Sequence, residues 1–303
     1  MLTQEKIKEL ELIANNIRIS TLEALIATKT DKYQASGHTA GPLGMADIFA
    51  LFFFYVMKHD PKNPHWEDRD RFVLSNGHIC PVYYATMAHA GYFPLEELKT
   101  LRHFGSRLQG HPHREFMPWI ETSSGPLGSG LSQAAGMALA ERMDHGLRTQ
   151  KFIYCFLSDG ELDEGNSWEG AMLAGKYKLR NLIAVIDRNN IQIEGVTEDI
   201  MPLEPLADKW RAFGWHVIES SGHDFRTLYE AVEEAQAVYE KPTVIIAHTI
   251  PGKGVSFMER DYRWHGTPPG SGPVDQIPKD KQAEVAFADL HALGERIKMG
   301  TNK

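Results

Sequence analysis

Cysteine is nearly missing from this chain: its 303 residues hold only Cys80 and Cys155, both among apolar neighbours. Two thiols make no disulfide framework, so covalent staples are excluded and a reduced cytoplasm is the expected location. A long apolar run is missing too. The longest candidate, Met45 to Met57, is interrupted by Asp47 and is too short to cross a bilayer. The opening "MLTQEKIKELELIANNIRIS" carries charges throughout, where a secretory signal needs an unbroken apolar core. Its Ile7, Leu10, Ala14 and Ile17 fall instead on one helical face. There is also no run of Lys or Arg. With 32 basic against 40 acidic residues the net charge is −8, which argues against nucleic acid and acidic membranes as partners and leaves small molecules or proteins. Repeats and low-complexity tracts do not occur, and 42% hydrophobic with 24% charged residues is the balance of a globular chain.

Histidine, by contrast, is plentiful at 14 residues. Several sit beside Gly or Pro in segments that read as loops: Gly37-His38, Gly77-His78, Gly110-His111-Pro112 and His265-Gly266. Loops carry function more often than regular elements, which makes these four the first candidates for chemistry.

The first third reads as helices separated by Gly and Pro loops. From residue 126 the pattern changes. "GPLGSGLSQAAGMALAERM" opens with glycines and continues as a small-residue helix, and Lys151 to Leu157 supplies a short β-favouring run. A helical stretch "SWEGAMLAGKYKL" leads to a second buried strand, Leu182 to Asp187. Helices around Leu203–Phe213 and Arg226–Tyr239 then alternate with the strand-like "WHVIES" and "TVIIAHT". Strands alternating with helices predict an α/β fold, a mostly parallel sheet covered on both faces, whose ligands bind beyond the carboxyl ends of the strands.

At one such end lies "FLSDGELDEGNSWEG", with Asp159, Glu161, Asp163 and Glu164 packed into six positions. A calcium loop would need Gly at its sixth position and Glu at its twelfth, where this chain has Glu164 and Gly170, so that reading fails. For Glu161 and Asp163 a solvated acidic loop is the expectation. Asp159 is different. Gly160 follows it at the strand end, and Asn189 stands 30 positions later at the end of the next strand. If the strands are neighbours, the two side chains share a crevice, and a carboxylate with an amide oxygen suits Mg²⁺ shared with phosphate oxygens. The helix that follows aims its N-terminus there. The expected ligand is a metal-bridged diphosphate.

"SDGELDEG" with "DRNNIQIEG" resembles the thiamine diphosphate motif. "ASGHTAGPLGMADI", "DRFVLSNGH", "QGHP" and "SSGPLGSGLSQAAGMALAER" resemble, in order, landmark segments of the transketolase N-terminal domain. The resemblance runs from about Ser36 to at least Gly266, with one departure: Ser158 stands where the motif has its first Gly. It implies a thiamine diphosphate-binding fold over residues 1–303, with an N-terminal helical segment (1–35), a motif-bearing core (36–270) and a C-terminal segment (271–303).

It further implies Asp159 and Asn189 as side-chain ligands and Ile191 as a backbone ligand to Mg²⁺, for which Ca²⁺ or Mn²⁺ could substitute. Gly160 would contact the diphosphate beside His78 and His265, Gly125 and Leu127 would flank the cofactor rings, and His38, His111, His78 and His265 would act on the substrate. From spacing alone Leu127 reads better as a plain core residue. The implied activity is transfer of a two-carbon ketol unit from a ketose phosphate to an aldose phosphate. Family members draw a catalytic glutamate from a second domain that this sequence does not contain. A separate C-terminal transketolase subunit is therefore the expected partner, in a heterotetramer, with Glu164 and Glu169 near the subunit contact. The alternatives are the α subunit of a 2-oxo acid dehydrogenase and a non-catalytic cofactor-binding partner subunit.

Overall fold

The computed structural model describes residues 2–301. Helix α1 (Gln4–Ala27) opens at Thr3, whose side chain accepts from the Lys6 amide, and buries Ile7, Leu10, Ala14 and Ile17 as their spacing predicts. Helix α2 (Ala40–Leu51) is buried along its whole length. It carries most of the apolar run, and the structure explains the Asp inside that run. Asp47 meets Arg18 of α1 at 2.6 Å and His223 at 2.7 Å. Burial pushes its carboxyl up, but the guanidinium and imidazole outweigh this and hold it well below the usual carboxylate range.

Strand β1 (Arg71–Leu74) lies within the stretch expected to be helical. Four residues are too few to show a period, and helix α3 (Cys80–Ala90) follows at once. Next come α4 (Ser129–His145), β2 (Ile153–Ser158), α5 (Gly165–Tyr177) and β3 (Leu182–Arg188). A small hairpin of β4 (Ile191–Gln192) and β5 (Gly195–Val196), unanticipated in the sequence, leads into the one-turn α6 (Thr197–Ile200). Helix α7 (Leu206–Ala212) starts later than expected, because Pro205 keeps the residue before it out of the helical region. The chain finishes with β6 (His216–Ser221), α8 (Phe225–Ala237), β7 (Thr243–His248) and α9 (Lys279–Met299), the last packed on α1.

The strands form one parallel sheet in the order β1-β2-β3-β7-β6. Alternate residues along each strand serve opposite faces, as the twofold period of a strand requires. Phe72, Tyr154, Phe156, Ile183, Val185 and Ile245 pack beneath α1, α2, α3 and α8. Val73, Cys155, Leu157, Ala184, Ile186 and Val244 pack against α4, α5 and α7. Both faces are thus covered, which is why the strands read as continuous apolar runs. The carboxyl ends of β1, β2 and β3 lie side by side, so Ser75, Ser158 and Asp187 emerge on one edge.

Among the described residues, no helix is long and apolar enough to cross a membrane.

Candidate active site

The three strand ends open into a cavity of about 380 Å³. His38, His78, His111, His265, Gly125, Leu127, Asp159, Gly160, Asn189, Ile191 and Glu164 all line it, although they come from seven separate stretches of chain. Leu127 is half-buried in this wall and is absent from the three apolar clusters, which removes the plain-core reading. Glu169 is not part of the wall; it stands exposed on α5, and Glu164 is exposed at that helix's start.

Asp159 is completely buried. Its Oδ1 accepts from the Gly160 amide at 2.8 Å, and its Oδ2 accepts from the Asn190 amide at 2.7 Å and from Arg188 Nη1 at 3.3 Å. Asn190 can make this contact because its backbone is left-handed, φ 63°, a region that Asn tolerates. Burial still pushes the Asp159 carboxyl up to about 6, with Arg188 and the two amides opposing. Asn189 is oriented from behind: its Nδ2 donates to Asp187 Oδ2 at 2.8 Å, while its Oδ1 accepts the Ile191 amide at 3.0 Å. Asp187, buried and raised to about 7 by burial and by the neighbouring Asp159, also receives the Thr249 hydroxyl.

Three imidazoles meet across the cavity. Ring centroids are 4.8 Å apart for His38 and His78, 5.3 Å for His38 and His265, and 5.6 Å for His78 and His265. Desolvation lowers all of them: His38 to about 3, where His265, Arg102 and His111 add to it; His265 to about 4, against a counter-pull from Glu194; and His78 well below 6.5. His111, half in solvent, is lowered by burial and by Arg102. The cluster is therefore neutral at pH 7, and neutral imidazole both accepts and donates protons. The Nδ1 atoms of His38 and His265 are buried and have no hydrogen-bond partner among the described residues. Close packing of the surrounding loops depends on Gly77, since a Cβ there would fall 2.5 Å from Ser124 Oγ and 2.9 Å from the Gly125 amide.

One expectation fails. Glu161, read as part of a solvated acidic loop, is fully buried. Its Oε1 receives the Ser75 hydroxyl and the Gly128 amide (2.6 Å), and its Oε2 receives the Ser158 amide at 3.2 Å. It ties the end of β1, the 125–128 loop and the end of β2 together, and burial raises it to about 7. A lone Glu in an acidic turn carries no periodic signal that would have revealed this. Asp163 is exposed, as expected. Arg188 was also missed, and it pairs with Glu198 at 2.6 Å and Glu204 at 3.0 Å as well as with Asp159.

The family model for the transketolase, thiamine diphosphate binding domain matches residues 12–284. The chain belongs to that family. It is 47% identical over 251 residues, 83% of its own length and 88% of the relative's, to the 6-deoxy-6-sulfo-D-fructose transketolase subunit SqwG of Clostridium sp. strain MSTE9. To an apulose-4-phosphate transketolase subunit of Phocaeicola vulgatus it is 39% identical over 297 residues, covering 98% of this chain and 99% of that one. Among solved structures, the transketolase from Leishmania mexicana superposes with a TM-score of 0.79 at 34% identity, covering 96% of this chain. The chain spans 46% of that protein's length. The family's fold is thus present here as the sheet described above, and its motif segments are the ones that meet at the strand ends.

Proposed function

We propose that this chain is the cofactor-binding subunit of a two-chain transketolase, which moves a two-carbon ketol unit from a ketose bearing a terminal phosphate or sulfonate to an aldose. The observation that carries the reading is the convergence, in one cavity, of Asp159, Asn189 and Ile191 with four imidazoles held neutral by their surroundings.

The residues fit thiamine diphosphate with Mg²⁺. Three donors occupy three of the roughly four lone-pair sites of the Asp159 carboxylate, leaving capacity for a cation. Asp187 fixes the Asn189 amide with its oxygen as the acceptor. Hard oxygen donors of this kind suit Mg²⁺, with Ca²⁺ or Mn²⁺ as substitutes. Asp159, Asn189 and the Ile191 carbonyl would hold the metal. Gly160, beside His78 and His265, would take the diphosphate; a Cβ there would come within 3.1 Å of Gln192 Oε1 and crowd that side chain. Gly125 and Leu127 would flank the rings. When bound, the cofactor supplies the nucleophilic carbon and the electron sink. His38, His111, His78 and His265 hold the sugar hydroxyls and move protons at the oxygen that was the ketose carbonyl.

Two relatives aligned along nearly their whole length are named as subunits, which supports a second polypeptide here. That C-terminal subunit would bring the catalytic glutamate, meeting this chain at the exposed Glu164 and Glu169 in a cytoplasmic heterotetramer. Free, buried Cys80 and Cys155 suit a reducing compartment. Residues 1–303 would act as one unit, with the 271–303 segment docked through α9 onto α1.

The test is to purify the chain with the polypeptide encoded beside it and follow two-carbon transfer from a ketose phosphate or a ketose sulfonate to an aldose phosphate. Transfer should require thiamine diphosphate and Mg²⁺ and vanish in Asp159→Ala. Decarboxylation of pyruvate without ketol transfer would overturn the proposal.

A further inference from the structure

Among the described residues, one cation beside the histidine cluster has no carboxylate partner. Arg102 has a left-handed backbone, φ 60°, pinned by its amide donating to the Leu108 carbonyl at 2.9 Å. That conformation is uncommon for a residue other than Gly, Asn or Asp, and it directs the side chain between two loops. A Cβ on Gly110 would lie 3.1 Å from both Cζ and Nε of Arg102, and one on Gly37 would lie 3.8 Å from its Nε. These are the residues that immediately precede His111 and His38. The guanidinium makes only long hydrogen bonds, from Nη1 to Ser36 Oγ and from Nη2 to the Gly110 carbonyl, each 3.5 Å. On this exposed residue the guanidinium thus lies close to both glycines, and among the described residues no carboxylate pairs with it.

We propose that Arg102 is a positioning residue, which spaces the His38 and His111 loops and sets one positive charge beside both imidazoles. The inference rests on the reading that these histidines serve proton transfer, and it supplies a reason for their being in the right protonation state. Desolvation is the largest influence on both rings and Arg102 adds to it in each case. The other groups around His38 do not replace that charge. His78 and His265 are themselves neutral, and Glu194, facing His265, pulls the opposite way. Cys80 and Tyr84, which also feel Arg102, are pushed up by burial and stay uncharged.

The experiment is a titration of the histidine Cε1–H signals by NMR in the full chain, without cofactor or partner, for the native protein, Arg102→Gln and Arg102→Lys. Arg102→Gln should raise the His111 midpoint by about half a pH unit or more, as expected for one charge screened at a half-exposed site, and should move His38 in the same direction. Arg102→Lys keeps the charge and should leave the midpoints near native, even though it loses the guanidinium. Unchanged midpoints in Arg102→Gln, or equal shifts in Gln and Lys, would overturn the electrostatic role. Should Arg102→Gln fail to fold, Arg102→Lys decides the matter: midpoints native at 0.1 M salt that rise at 1 M salt support the charge effect, and midpoints that ignore salt overturn it. No turnover is involved, so a chain without ketol transferase activity gives the same answer for Arg102.

Discussion

Asp47 and Asp159 are both buried carboxylates facing an arginine, yet they are driven in opposite directions. Asp47 has two close partners, Arg18 and His223, and neither is shared with another carboxylate. His223 is itself locked in place by accepting the Ile250 amide through Nε2 at 2.7 Å. Asp159 is 3.3 Å from an arginine that spends its shorter contacts on Glu198 and Glu204, and it has a second buried carboxylate, Asp187, as a neighbour. The first knot is closed and balanced, the second short of positive charge. Burial alone therefore does not separate the two carboxylates; what separates them is the compensation that the chain leaves out.

That contrast can be broken from either side. The largest effect is expected at the closed knot. Asp47→Ala leaves Arg18 buried and unpaired and should cost about 3–5 kcal/mol of stability, measured by urea unfolding, while thiamine diphosphate affinity of the folded protein stays native. At the open one, Asp187→Ala frees the Asn189 amide to turn and should weaken Mg²⁺-dependent cofactor binding about 10–100-fold, read by calorimetry. An unaltered affinity would show that Asn189 needs no support from behind.

The smallest effect separates the imidazoles from the carboxylates. A histidine whose folded pKa lies below its unfolded value binds fewer protons when folded, so stability falls as pH drops below 6.5 towards the folded value, which is about 3 for His38. His38→Asn should remove up to one proton of this linkage, about 1.4 kcal/mol per pH unit between pH 6 and 5. Unfolding free energies of the two proteins over that window test it; parallel curves would mean that His38 is not held neutral by the fold.

Much of this was legible in advance. Strands β2, β3 and β7 announced themselves as apolar runs because both faces of the sheet are covered there, β6 was strand-like although it is a half-exposed edge, and Asp159 and Asn189 could be paired because each closes one of two neighbouring strands. The four histidines stood out through their glycine and proline neighbours. Strand β1 did not, being four residues long and running straight into turns that lead to α3. Glu161 and Asp163 are two residues apart in the same acidic turn, yet one is fully buried and the other exposed; only the three-dimensional meeting of Ser75, Gly128 and Ser158 distinguishes them. The same holds for Arg102, whose meaning lies in two glycines that are distant from each other in sequence.

The sheet order also determines when the site can exist. Until Thr243–His248 enters between β3 and β6, strand β3 is an edge, and Asp187 has no Thr249 hydroxyl to receive. A chain emerging from the ribosome thus has its Asp159 and Asn189 segments long before it has the strand that fixes them. The sheet end that carries Asp159 and Asn189 is complete only once residue 249 has been added, so the cavity is a property of the assembled sheet and not of the segment that contributes its acidic turn.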